Sequence, residues 1–226
     1  MSHPYVHFHP THPHPPALGK RYLTLGIGLL IMAFGIAFSI QGALGTSPIS
    51  SLPYVVSLLI PLTVGEATIC LHVVLIVLQI LILRRRYDPV QLMQLPVAVV
   101  FGYLTDFGVW AVQNLPADHY GVQWLYCLIG VVLVAVGVAL EVIAGVVTLA
   151  GEGFVLAVCQ VAPIPFGNMK VAFDLTLVGI AVALSLGFLH GLYGVREGTV
   201  AAAVLVGLTA KKLQPRLEGF LAPLLR

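Results

Sequence analysis

The sequence predicts an all-α polytopic membrane protein. It is expected to hold two inverted-topology repeats, each with three transmembrane helices plus a broken, re-entrant short helix. Three observations carry that expectation. First, 59% of the 226 residues are hydrophobic and 9% are charged, and the mean hydropathy is +1.01. A soluble domain carries about 25% charged residues to meet water, so this composition belongs in a bilayer. Second, the apolar sequence is interrupted by GALGTSPISSLP, Gly42–Pro53, and again by TLAGEGF, Thr148–Phe154. Irregular backbone at membrane depth is tolerated only where protein buries it or a watery cavity borders it. Third, sliding the chain on itself by 102 residues aligns IGLLIMAFGIAFSI, from Ile27, with IGVVLVAVGVALEV, from Ile129.

Several function classes are excluded by what the chain lacks. A net charge of +2 is too small for a nucleic-acid partner. Cys70, Cys127 and Cys159 lie in apolar runs without CxxC spacing and read as small buried hydrophobes. No cleavable signal peptide is expected, because the first apolar run is too long and no small-residue cleavage site follows. There is no Walker loop, no HExxH and no GxSxG. The glycines of GIGLLIMAFG sit inside a span with no strand before them. We therefore expect no enzyme and no cofactor.

Taken in order, residues 1–19 hold five histidines (His3, His7, His9, His12, His14) and five prolines. They read as a disordered cytoplasmic tail, since proline opposes regular structure. No metal site is expected, because the prolines leave the histidines no fixed geometry beyond weak affinity. The first membrane repeat spans 20–112, with full spans at Tyr22–Ala43, Thr68–Leu83 and Pro89–Trp110. Its short helix is expected at 50–60. An external loop at 113–123 has Asp118 and His119 but no lysine or arginine. The second repeat spans 124–213, with full spans at Trp124–Val147, Lys170–Leu189 and Glu197–Leu213 and a short helix at 152–162. A basic cytoplasmic tail, 214–226, ends the chain. Each full span approaches the ~20 apolar residues that a bilayer requires.

The offset extends beyond one helix pair. It matches Gly28 with Gly130, Gly35 with Gly137, Thr46 with Thr148, Pro61 with Pro163 and Gly65 with Gly167. Basic residues in short loops mark the cytoplasmic side. Lys20 and Arg21, the Arg84–Arg86 cluster, and Lys211, Lys212 and Arg216 all fall inside if the short helices dip and return. Arg196, beside Glu197, is the exception. Both termini are then cytoplasmic, in a bacterial inner membrane. With three spans per half the second half is inserted upside down, the plan of many secondary transporters. A competing arrangement has both short helices crossing, which gives eight spans.

Ionisable residues inside spans cost at least ~2.5 kcal/mol at the helix centre, so each is a functional candidate. Glu141 faces its repeat mate Ser39, Glu152 its mate Ser50, and Asp174 its mate His72. Lys170 and Asn168 open the fifth span, with Lys170 and Asp174 spaced to share a helix face and neutralise one another. Glu141 suits either a ligand or proton role or a buried acid that holds the break in place. His72 suits a packed core histidine as well as a ligand. Gln41, Thr46, Ser47, Ser50 and Ser51 either bind substrate or satisfy the interrupted backbone. Asp106, near the outer end of the third span, reads as solvated at the interface.

The stretches GALGTSPISSLPYVVSLLIPLTVGEAT, LMQLPVAVVFGYLTDF, GEGFVLAVCQVAPIPFGNMKVAFD and GVREGTVAAAVLVG resemble the YczE/YyaS/YitT-type bacterial integral membrane proteins. The subgroup is one of unknown function, and the resemblance covers about Tyr22 to Leu213. It implies a bacterial inner-membrane protein and carries over no site residues. The residues themselves point to a secondary transporter or exporter of a small polar or charged solute, with proton coupling as an option. Its expected partners are that small-molecule or ion substrate and the lipid bilayer, with a homodimer as a further option. A channel-like pore and a non-transport assembly or anchor factor are the alternatives.

Overall fold

The computed structural model describes residues 15–221, and every regular element among them is helical. The helices are α1 (Pro15–Gln41), α2 (Pro48–Leu59), α3 (Val64–Leu83), α4 (Gln94–Val112), α5 (Tyr120–Ala144), α6 (Ala150–Val161), α7 (Phe166–Leu189) and α8 (Glu197–Leu221). Two short 3-10 turns, Arg84–Arg86 and Pro89–Met93, link α3 to α4. The five histidines of the N-terminal stretch lie outside the described residues.

Helix α1 starts inside the stretch expected to be a tail. Prolines at the first helical positions keep the helix intact, because amides there have no intrahelical acceptor to lose. The short helices also start two residues earlier than expected, at Pro48 and Ala150. Pro48 follows Ser47, whose extended backbone (φ −60°, ψ 153°) serves as N-cap. Among the described residues five helices are long and apolar enough to cross a membrane, where six were expected. The helix expected as the sixth is α8. It is long, but Lys211 and Lys212 cut its apolar stretch short and it continues to Leu221.

The protein is a polytopic membrane protein organised on two packed groups. In the first, α1 lies antiparallel against α5, with α4 on the flank of α1 and α8 on the flank of α5. Gly28 packs against Gly137, and Gly35 against Gly130. A Cβ at Gly35 would stand 2.7 Å from Val134 N and 2.9 Å from the Gly130 carbonyl. One at Gly137 would stand 2.7 Å from the Gly28 carbonyl. Backbone touches backbone along this seam, which is how small residues hold helices together where lipid removes the hydrophobic drive. Leu25, Leu29, Met32, Val134 and Phe101 fill the space beside it.

In the second group, α2 packs on α7 and α3 packs on α6. Leu75, Ile76, Val155, Phe173 and Leu177 form its core. The first turns of α2 and α6 meet here, with the Ile49 side chain occupying the place a Cβ on Gly151 would take. Glycines again join the groups, because Gly65 of α3 sits against Gly102 of α4.

The start of α3 is capped from three sides. Glu66 N–H donates to Thr63 Oγ1 (3.1 Å) and Thr63 N–H to Glu66 Oε2 (2.8 Å), which satisfies two orphan donors. Thr63 Oγ1 donates to Asp106 Oδ2 (2.6 Å), and Gly65 N–H donates to Asp106 Oδ1 (2.7 Å). Asp106, read from sequence as merely solvated, is therefore a cap that α4 supplies to α3.

Replacing Gly35 with Ala pushes a methyl into main-chain atoms, so we expect a loss of about 1–3 kcal/mol. The check is a thermal melt in detergent against Gly26→Ala, where an added Cβ meets nothing within 4 Å. The Gly26 variant should melt at or slightly above the parent temperature.

Candidate functional site at the two helix breaks

At the first break, α1 stops and the backbone leaves helical geometry at Ala43 (φ 54°) and Gly45 (φ 92°). Gly45 is a glycine for two reasons. Its φ disfavours an L side chain, and Thr199 Oγ1 and Arg196 N occupy the space where a Cβ would stand. The freed backbone groups find partners on the segment that leads into α8. Thr46 N–H donates to the Gly194 carbonyl (3.2 Å), and Gly198 N–H donates to the Leu44 carbonyl (2.8 Å). Arg196 Nη1 donates to the Ala43 carbonyl (3.1 Å), while its Nη2 pairs with Glu197 Oε1 (3.1 Å).

The hydroxyls of this break divide by role. Ser47 Oγ donates to Ser50 Oγ (2.9 Å), and Ser51 Oγ donates to the Pro48 carbonyl (2.7 Å), so these three stabilise the start of α2. Ser39 Oγ donates back to the Gly35 carbonyl (3.0 Å) within α1. Gln41 Nε2 donates to the Leu115 carbonyl (2.6 Å) and ties the end of α1 to the loop after α4. Thr46 differs: its Oγ1 is buried and has no partner. It lines a partly enclosed cavity of about 180 Å³ together with Ser39, Ala43, Tyr54, Tyr193 and Arg196.

At the second break, α5 ends in a left-handed Gly145 (φ 59°). Arg21 of α1 donates through Nη1 to the Ala144 carbonyl (3.0 Å). Glu141 is buried, and its Oε1 accepts from Leu149 N–H (2.7 Å), the residue that caps α6. This carboxyl therefore bridges the end of α5 to the start of α6 across the break. Gln79 of α3 donates through Nε2 to Gln94 Oε1 (3.1 Å) and to the Ala150 carbonyl (3.2 Å). Gly153 leaves room for both glutamines against the first turn of α6. Glu152 is half-buried in that same turn, where the helix dipole favours an acid.

The remaining candidates stand apart from both breaks or border them. Lys170 Nζ bonds Asp174 Oδ1 at 2.7 Å, one helical turn apart on α7. Lys170 also lies over the Phe173 ring (5.5 Å), and Phe173 packs on Phe154 of α6 (5.3 Å). Asn168 is exposed on the first turn of α7. His72 is buried in α3 with Nδ1 unpartnered, its ring 6.1 Å from Phe101. Among the described residues, no three His, Cys, Asp or Glu side chains gather as a metal site would require.

The sequence candidates thus fall into separate places: hydroxyls at the first break, Glu141 and Glu152 at the second, and an ion pair on α7. Of them, only Ser39 and Thr46 line the cavity. Sequence reasoning missed Tyr54, Tyr193, Gln79, Gln94 and Arg21. Arg196 did carry a signal, as the one basic residue that broke the charge rule.

Helices of this length and apolarity, wrapped around two buried helix breaks, define a multi-pass membrane protein. The chain belongs to a family of unknown function (DUF6198), whose profile matches residues 19–215. It is also similar to the "Uncharacterized protein YyaS" of Bacillus subtilis (strain 168), at 34% identity over 121 residues. That match spans 53% of this chain and 59% of the relative. No solved structure matches it.

Glu141→Ala leaves the Leu149 amide buried without an acceptor and should destabilise the protein by about 1–3 kcal/mol. Glu141→Gln keeps an acceptor oxygen and should melt close to the parent. Equal melting of both variants would remove the bridging role.

Proposed function

We propose that this chain is a secondary transporter or exporter of a small polar or charged solute, built from two inverted repeats. The observation that carries the reading is reciprocal packing. Gly28 meets Gly137 and Gly35 meets Gly130, and each residue's repeat mate lies in the opposite pair. An exchange of partners between equivalent positions is the signature of a two-fold relation, and α1 and α5 run antiparallel. The pattern repeats elsewhere: α1 with α4 matches α5 with α8, and α2 with α7 matches α6 with α3. Ile49 and Gly151, which touch at the starts of the two short helices, are also mates. Inverted repeats with discontinuous helices that meet at a site are the plan on which alternating access is built.

The halves are not identical, which a two-state carrier requires of any one state. Gly65 is sealed against Gly102, whereas its mate Gly167 meets nothing within 4 Å. Helix α8 packs chiefly on α5 rather than on α7. In this reading the chain lies in a bacterial cytoplasmic membrane with both termini inside, and α8 makes the sixth crossing despite its basic end.

Two measurements test the reading. Cysteines placed at Gly19, Gly121 and Gly219, where a side chain meets nothing within 4 Å, should react differently with an impermeant maleimide on intact cells. With the native cysteines replaced, position 121 should label from outside, and 19 and 219 only after permeabilisation. External labelling at 219 would mean that α8 does not cross. In proteoliposomes, solute uptake should saturate with concentration and voltage-clamped bilayers should stay free of unitary steps. Stepwise currents would favour a pore.

A further inference from the structure

The cavity at the first break is unbalanced in its hydrogen-bonding groups. Two of its carbonyls are engaged, since Ala43 O accepts from Arg196 Nη1 (3.1 Å) and Gly194 O accepts from Thr46 N–H (3.2 Å). Its donors are in surplus. Thr46 Oγ1 is 1% exposed and unpartnered, two phenols come from Tyr54 and Tyr193, and Arg196 contributes a guanidinium. A guanidinium has five N–H groups and accepts nothing, and Arg196 spends bonds on one carbonyl and one carboxylate only. Among the described residues no aspartate or glutamate lines the cavity, and Glu197, which pairs with Arg196 Nη2 (3.1 Å), lies outside its wall.

We infer that this cavity binds a small carboxylate, held by Arg196 together with the Thr46 hydroxyl and the two tyrosines. A carboxylate only accepts, which suits a donor-only guanidinium flanked by three hydroxyls that can turn their protons toward it. It also matches the planar fork of a guanidinium. The volume of about 180 Å³ falls below the ~300–1,000 Å³ of drug-sized pockets, so the ligand has few heavy atoms. In taking this cavity as the solute site, the inference rests on the transport reading, but binding and transport can fail separately.

The test uses the full chain in nanodiscs, titrated calorimetrically with formate, acetate, lactate and benzoate, and with acetamide and benzamide as neutral counterparts. The carboxylates should bind and the amides should bind at least tenfold more weakly. Thr46→Val keeps the side-chain volume and removes the hydroxyl, and Tyr54→Phe does the same for a phenol. Each should weaken carboxylate binding about tenfold, while Glu141→Gln leaves it unchanged. Equal affinity for amides, no binding by any carboxylate, or full binding in Thr46→Val would each overturn the inference. Carboxylate binding without uptake of labelled acetate or lactate into proteoliposomes would keep the site and remove the transport reading. Saturable uptake of a cationic solute without carboxylate binding would do the reverse.

Discussion

Backbone amides and carbonyls have no water to turn to in a bilayer core, and each one left bare costs several kcal/mol. Everything notable in this chain follows from interrupting its helices twice under that constraint. The first break survives because Gly194, Arg196 and Gly198 supply partners to Thr46, Ala43 and Leu44. The second survives because Arg21 reaches the Ala144 carbonyl, Glu141 reaches the Leu149 amide and Gln79 reaches the Ala150 carbonyl. In both cases residues remote in sequence supply bonds, Gly194 to Gly198 at the first break and Arg21 and Gln79 at the second. Neither break could hold its form in an isolated half.

Those remote partners must be brought close, and the glycine seam does this. With Gly28, Gly35, Gly130 and Gly137 at the crossing, α1 and α5 approach until main chains touch. That approach carries Arg21, near the start of α1, to the end of α5. It also seats Gly42, just past the end of α1, against the Gln123 carbonyl. The tie at the break and the fit at the seam therefore stand or fall together. The difference between the Gly65–Gly102 contact and the open Gly167 leaves one flank sealed and the other free.

Much of this was legible in the sequence because hydrocarbon makes polar residues expensive. Glycine, serine and proline inside apolar runs marked both breaks, and Glu141 drew attention as a buried acid. Which of its two readings holds depends on Leu149 N–H, eight residues onward, and periodicity cannot place that atom. Ser47, Ser50 and Ser51 were flagged for their type, yet their bonds are local. Thr46, flagged with them, alone keeps an unpartnered hydroxyl. Tyr54 and Tyr193 were illegible because amphipathic rings are ordinary in membrane proteins and only the fold brings the two together. Asp106 was misread for the same reason, since the Gly65 amide and Thr63 hydroxyl it accepts from lie about forty positions earlier. The start of α1 was missed because proline opposes helix interiors but not first turns.

The two short helices begin side by side, an arrangement that nothing short of the full fold would bring about. A chain carrying Ile49→Cys and Gly151→Cys, with Cys70, Cys127 and Cys159 replaced, tests this most directly. Mild oxidation in membranes, followed by mass spectrometry of the proteolysed chain, should find the two positions joined in one molecule. Two freely alkylated thiols after oxidation, with each single variant normally folded, would contradict it.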